Sequence, residues 1–255
     1  MIKFFRKIRQ KLLSENKFSK YLIYAIGEIV LVVIGILIAL YINNMNTEKQ
    51  DSITLNGYLD NIAENIKSDQ VNLEKISTFR DSSIIGSKYF MKMIEQESKE
   101  QYVTYFSKYF KFNPWLDESF QSNQSGFEAL KNSGYLNKIQ QTDLQTELYK
   151  YYSLVQKIKD EEQSLNNFME EMEYDMYKNN VVQKTKPLIR KFFRKIEKEK
   201  DISELHKILN YPAFVGSHSR NAGTSYMNEL YEQLAVTNNS LMNEIEKKKN
   251  ERLTR

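Results

Sequence analysis

Two histidines, His206 and His218, and no cysteine limit what this 255-residue chain can do with metal ions and nucleophiles. A zinc site needs three or four ligands, and without thiolates it would have to recruit carboxylates from distant parts of the chain; no His-Glu-x-x-His pattern supplies a core for one. Gly216-Ser217-His218-Ser219-Arg220 matches a nucleophile turn only in part, lacking the second glycine and a preceding strand. Glu170 and Glu171 are adjacent, so on a helix they diverge instead of converging on a substrate. These residues predict no catalytic group, no metal ligand and no cofactor, and the chain reads as a non-enzyme.

Glu28 draws attention through its surroundings. It is the single Asp, Glu, Lys or Arg in Tyr21 to Ile42, YLIYAIGEIVLVVIGILIALYI. At about 1.5 Å per residue this segment is about 33 Å long, enough to cross a hydrocarbon layer of about 30 Å. A cleaved signal would have a shorter apolar stretch and a small-x-small site, whereas Ala39 is followed by Leu40 and Tyr41, so the segment reads as an uncleaved signal anchor. At about 100° per residue, Gly35 and Ala39 each fall within about 20° of Glu28. This stripe suits close helix packing, with a protonated Glu28 donating a hydrogen bond to a partner helix. The alternative is that Glu28 snorkels or sits in a local water defect.

The elements that must position these groups begin with a basic run. Residues 1–20 carry Lys3, Arg6, Lys7, Arg9, Lys11, Lys17 and Lys20 against Glu15 alone. From Asn43 onward thirty Lys and Arg face thirty-one Asp and Glu, so the +4 formal charge is entirely N-terminal. A nucleic-acid binder would carry its positive field on the folded domain, so no nucleic-acid partner is expected. By the positive-inside rule residues 1–20 face the cytoplasm and residues 43–255 lie outside. Ile2, Phe5, Ile8 and Leu12 recur at helical spacing. Lys3, Arg6, Lys7, Arg9 and Lys11 could thus meet inner-membrane lipid headgroups from an interfacial helix, or simply set topology.

The stretch FFRKIRQKLLSENKFSKYLIYAIGEIVLVVIGILIALYINN, Phe4 to Asn44, resembles the N-terminal signature of a family of bacterial single-pass inner-membrane proteins whose function is unknown. The shared features are the basic helix, then Ser19 to Leu22, Ala25 to Ile29, Val32 to Leu40 and Ile42 to Asn44. Met45 stands where the family usually has Trp, which removes an interfacial anchor that Tyr41 can replace. Gly126 to Tyr152 also resembles the family's outer domain. The resemblance implies single-pass placement with a periplasmic domain, and no mechanism.

The outer domain reads as all-α, an antiparallel helical bundle. Leu55, Leu59, Ile62, Ile66, Leu73 and Ile76 mark an amphipathic helix whose rhythm Asp69 interrupts. Leu144, Leu148, Tyr151, Val155, Ile158, Glu162, Leu165, Met169, Met172 and Met176 alternate by four and three, a heptad seam with Glu162 as its one polar member. Met227, Leu230, Leu234 and Leu241 mark a last helix. Asn113-Pro114 must break helix, Ser125 is the expected N-cap of a short helix and Gly134 its stop, Ser203 starts another, and Gly216 to Gly223 reads as loop. KFFRKI occurs twice, at Lys3 to Ile8 and Lys191 to Ile196. The second copy is expected to fold back on the acidic run from Asp160 to Asp175 in preference to touching membrane. The aromatics from Tyr102 to Trp115 are expected in the core, with a ligand pocket as the alternative.

These readings converge on a membrane-anchored extracytoplasmic interaction or scaffold protein. It would associate with itself or with another membrane protein through Glu28, Gly35 and Ala39. A ligand-sensing module acting through a separate output protein is the second reading, and a membrane-perturbing oligomer the third.

Overall fold

The computed structural model describes residues 10, 18–96, 98–195 and 197–251. The regular structure described is helical throughout. Helix α1, Phe18–Gln96, is 79 residues long and contains the whole apolar segment. The chain divides into two units, Met1–Gly57 and Tyr58–Arg255.

In the first unit the large apolar side chains of α1 from Leu22 to Ile42 are exposed, and none of its most apolar 18-residue window is buried. This is one long apolar helix near the N-terminus, compatible with a single-pass membrane anchor.

The second unit begins on the remainder of α1 and continues with α2 (Lys99–Thr104), a π-helical turn at Tyr105–Tyr109 and a 3-10 turn at Phe110–Phe112. An irregular stretch, 113–124, follows. Then come α3 (Ser125–Asn132), a 3-10 turn (Tyr135–Ile139), α4 (Asp143–Lys178), α5 (Val181–Arg194), α6 (Glu199–Leu209), α7 (Pro212–Ala222) and α8 (Tyr226–Asn250). Three of these helices carry buried seams that alternate by four and three. On α1 the run is Leu59, Ile62, Ile66, Asp69, Leu73, Ile76, Arg80, Ser83, Ser87 and Phe90, all at most 5% exposed. Asp69 therefore occupies a seam position and does not break the rhythm. On α4 the expected seam is buried, with Met172 partly so. On α8 the seam is Met227, Tyr231, Leu234, Asn238, Leu241 and Ile245. Each seam shields its apolar surface by facing the others, which is why the 3.6-residue period produces a bundle.

Directions follow from the cross-links. Lys249 pairs with Asp60, Asn238 with the Ile66 carbonyl, and Asn228 with Asp81, so α8 runs antiparallel to α1. Tyr231 meets Glu162 and Lys247 meets Asp143, so α8 also runs antiparallel to α4. Helices α1 and α4 therefore run the same way. The chain returns between them through residues 98–142, partly as helix and partly as the irregular stretch.

Several local expectations need correction. Ser125 is the first residue of α3, with Gln124 in the cap position, and α6 starts at Glu199, where Asp201 accepts the Lys198 N–H at 2.8 Å. Gly216 to Ala222 is helix, because Pro212 at the first helical position favours initiation and the face bearing Ser217, His218 and Asn221 is buried. The hairpin from α4 into α5 does form, with Asn180 in the left-handed region at φ 56°. Its charges go elsewhere than expected: Lys191 meets Asp201 at 2.5 Å, and Asp175 accepts the Tyr211 hydroxyl at 2.7 Å. Lys191's hydrogen bond holds the Asp201 carboxyl below the usual range. Phe112-Asn113-Pro114 leaves helix as expected, and Gly134 ends α3 at φ 79°.

The aromatic run is core over its first part, and Tyr109, Phe110 and Trp115 are partly buried against that core. Tyr102, Tyr105 and Phe106 are buried with Phe90, Phe192 and Phe214. His218 stacks on Phe90 at 3.8 Å between ring centres, one ring nitrogen 3.0 Å from the Tyr105 hydroxyl and the other 3.1 Å from Ser87 Oγ. Burial pushes this imidazole down to about 3. An unfolded histidine takes a proton below about 6.5 while the folded one stays neutral. Its contribution to stability is thus complete above about pH 6.5 and is lost as pH falls toward about 3, at about 1.4 kcal/mol per pH unit. Urea unfolding of the full chain should show His218→Gln less stable than wild type at pH 7.5, with the gap narrowing on acidification to pH 5.

Gly126 sets a close approach of α3 to α1. A Cβ there would lie 2.8 Å from Asn65 Oδ1 and 2.9 Å from the Ile62 backbone nitrogen, while its own N–H donates to Asn65 Oδ1 at 2.9 Å. Gly126→Ala should destabilise the protein by about 1–3 kcal/mol, read as a shift of the urea midpoint, because backbone cannot yield as a side chain can.

Candidate functional site

The residues expected at the membrane divide by what the structure describes. Lys3, Arg6, Lys7, Arg9 and Lys11 lie outside the described residues. Glu28 is half-buried, and Gly35 and Ala39 are exposed. A Cβ added at Gly35 would meet nothing within 4 Å, so this side of α1 is open to close approach.

A second constellation is built around residues 113–124. A stretch that leaves helix inside a bundle has no internal ladder for its N–H and C=O groups, so these must find partners on neighbouring elements. Three buried charges supply much of that need. Asp69 on α1, 2% exposed, accepts the Asn123 N–H at 2.8 Å with one oxygen, and the hydroxyls of Ser122 at 2.5 Å and Tyr151 at 2.9 Å with the other. Glu162 on α4, 1% exposed, accepts the Phe120 N–H at 2.8 Å and the Tyr231 hydroxyl at 2.6 Å. Arg80, a further seam residue of α1, donates to the Glu118 carbonyl at 3.0 Å. Asn72 adds a bond to the Gln121 carbonyl at 3.3 Å, Asn166 one to Asp117 at 2.5 Å, and Trp115 one to Ser217 at 2.9 Å. The stretch is therefore a strap, fastened at intervals along its length.

The electrostatics fit that role. Burial raises the Glu162 carboxyl above its usual range, opposed by the hydrogen bonds from Tyr231 and Phe120 and by the charge of Arg80. Burial likewise drives the Tyr231 and Tyr151 phenols up, so both stay protonated donors. Each oxygen of Asp69 and Glu162 has a donor, so these carboxylates act as fasteners and not as acids or bases facing a substrate. Among the described residues no three His, Asp or Glu side chains gather to hold a metal ion.

Neither Asp69, Arg80 nor Glu162 stood out as a site residue in the sequence. The readable signal was a charge at a seam position, which costs several kcal/mol if left without a partner and so implies one. The partner itself, a backbone amide fifty or so residues away, had no local signature. Beside the strap lies an open groove of about 350 Å³, lined by Ser119, Gln121, Lys159, Gln163, Asn166 and Glu170 among others. No protein-family model, curated protein or solved structure matches this chain.

Asp69→Ala should leave the Asn123 N–H and the Ser122 and Tyr151 hydroxyls without their acceptor. The expected loss is about 2–4 kcal/mol in urea unfolding. Amide exchange should accelerate across residues 118–124, while helix content by circular dichroism stays near that of wild type.

Proposed function

We propose that this chain is a membrane-anchored helical interaction protein, with residues 1–20 in the cytoplasm of a bacterial cell, residues 21–42 spanning the inner membrane and residues 43–255 in the periplasm. The observation that carries the reading is the exposure of the large apolar side chains from Leu22 to Ile42. Such a surface is unfavourable in water and favourable in lipid, so the helix belongs in a bilayer. The orientation is supported by the basic flank before the span, since only Lys49 follows within twenty residues of it. Membership in the inner-membrane family that Phe4 to Asn44 resembles is part of the same proposal. The partner is a second copy of the chain or another membrane protein, met at the stripe of Glu28, Gly35 and Ala39. One observation favours that contact: the openness of α1 at Gly35, where an added Cβ would meet nothing within 4 Å.

The groove beside the strap favours ligand sensing as a second reading, because a polar concavity on a prefastened loop suits a small polar ligand. Such a ligand would raise the thermal midpoint of the full chain in proportion to the logarithm of its concentration.

A C-terminal fusion to a reporter enzyme that matures only outside the cytoplasm should be active, and activity only of a cytoplasmic reporter would overturn the topology. Crosslinking in mild detergent should yield oligomers of the wild-type chain and markedly fewer of Gly35→Ile, whose branched side chain holds a neighbouring helix away. Equal yields would remove the stripe from the proposal.

A further inference from the structure

The hairpin of α4 and α5 presents two stripes of opposite charge side by side. Helix α5 buries Val181, Thr185, Leu188, Ile189 and Phe192 and turns Lys186, Arg190, Phe193 and Arg194 to solvent. At about 100° per residue these four fall within an arc of about 100°, so they form one stripe. Next to it, α4 exposes Glu170, Glu171 and Tyr174. Three aromatic rings lie open between and among these charges: Phe193 is 57% exposed, Tyr174 70% and Tyr177 44%, with the Lys186 ammonium 5.6 Å above the Tyr177 ring. Bulky apolar rings ringed by charge are the composition of an interface centre and its rim.

The sign pattern selects the occupant. A uniformly anionic surface would be drawn to α5 but repelled by Glu170 and Glu171 one helix diameter away, a distance of about 10 Å that salt only partly screens. The surface that fits must carry acid opposite α5 and base opposite α4. The same hairpin on a second copy does so. A two-fold axis parallel to the hairpin sets α4 of each copy against α5 of the other at the same level, which is the self-complementary arrangement of a closed dimer.

We infer that the outward face of the α4–α5 hairpin docks on the same face of a second copy of this chain, with Tyr174, Tyr177 and Phe193 at its centre and Glu170 and Glu171 facing Arg190 and Arg194 across it. The aromatic rings supply attraction, and the opposed charges fix register and exclude other partners. The inference rests on the self-association reading in one respect: copies held in one membrane meet at raised effective concentration, so a modest face is sufficient.

The chain has no cysteine, so single Tyr174→Cys and Lys186→Cys variants of the full chain, whose sites lie at about the same level of the hairpin, can be tagged separately, coexpressed and oxidised in native membranes. A mixed disulfide dimer is expected. Arg190→Glu with Arg194→Glu in both copies should lower its yield about tenfold or more, and pairing that copy with one carrying Glu170→Arg and Glu171→Arg should restore it. All four sites are exposed, so unchanged circular dichroism will accompany the loss. No mixed dimer, a yield indifferent to charge reversal, or a dimer displaced by added phosphatidylglycerol vesicles that bind the chain would each overturn the inference, the last by making lipid the occupant. Introducing Gly35→Ile separates the two proposals. If Gly35→Ile leaves span crosslinks at the wild-type yield while this one forms, only the span contact falls; if Gly35→Ile abolishes span crosslinks in a chain that never forms this one, only the docking face falls.

Discussion

A backbone that leaves helix inside a bundle must have its amides and carbonyls accepted and donated to by something, and here that constraint is met by charges placed on helix seams. Asp69 and Glu162 sit where leucine or isoleucine would pack, and each takes up a backbone N–H of the 113–124 strap. The usual objection to buried carboxylates is desolvation, which attraction to one partner seldom repays. Two or three donors per carboxylate change that balance, since backbone amides and tyrosine hydroxyls replace the lost water. The rest of the second unit depends on this fastening. The strap carries the chain back between α1 and α4 and so lets those two long helices run in the same direction.

A related economy appears around His218. Ser83, Ser87 and Arg80 continue the α1 seam in polar residues, and α7 answers with Ser217, His218 and Asn221, whose amide nitrogen reaches Ser83 Oγ at 2.9 Å and Ser87 Oγ at 2.8 Å. Polar seams of this kind specify register more sharply than apolar ones, because a slip by one turn leaves several buried groups without partners. Gly126 performs the same service by shape, with a backbone approach to Ile62 that no larger residue fits.

Much of this was legible from spacing alone. The seam from Leu144 to Met176 and the apolar face at Leu59, Ile62 and Ile66 are buried as their periodicity requires, and Asn113-Pro114 and Gly134 end helices for reasons of backbone sterics. Where spacing misled, tertiary packing had overridden local preference. Gly216 to Gly223 has the composition of a loop, yet most of it is helical because one face of α7 is buried against α1. Asp69 looked like an interruption because a carboxylate in a seam makes sense only once its donors, Ser122, Asn123 and Tyr151, are known. Of the cations expected to neutralise the acidic α4, Lys191 pairs with Asp201 instead, because that carboxylate lies 2.5 Å from its ammonium.

The sequence by itself determined an all-helical chain with one long apolar helix near its N-terminus, the heptad-spaced faces of the long helices and the points where proline and glycine end them. All of these are consequences of solvation, period and sterics that act within a few turns. Only the tertiary structure decided which way the helices run, which polar seam residues meet, and that a strap takes the place of a helix between α1 and α4. Those outcomes depend on hydrogen bonds between residues as far apart as Asp69 and Asn123 or Ser83 and Asn221, and no local pattern encodes the partner of a buried charge.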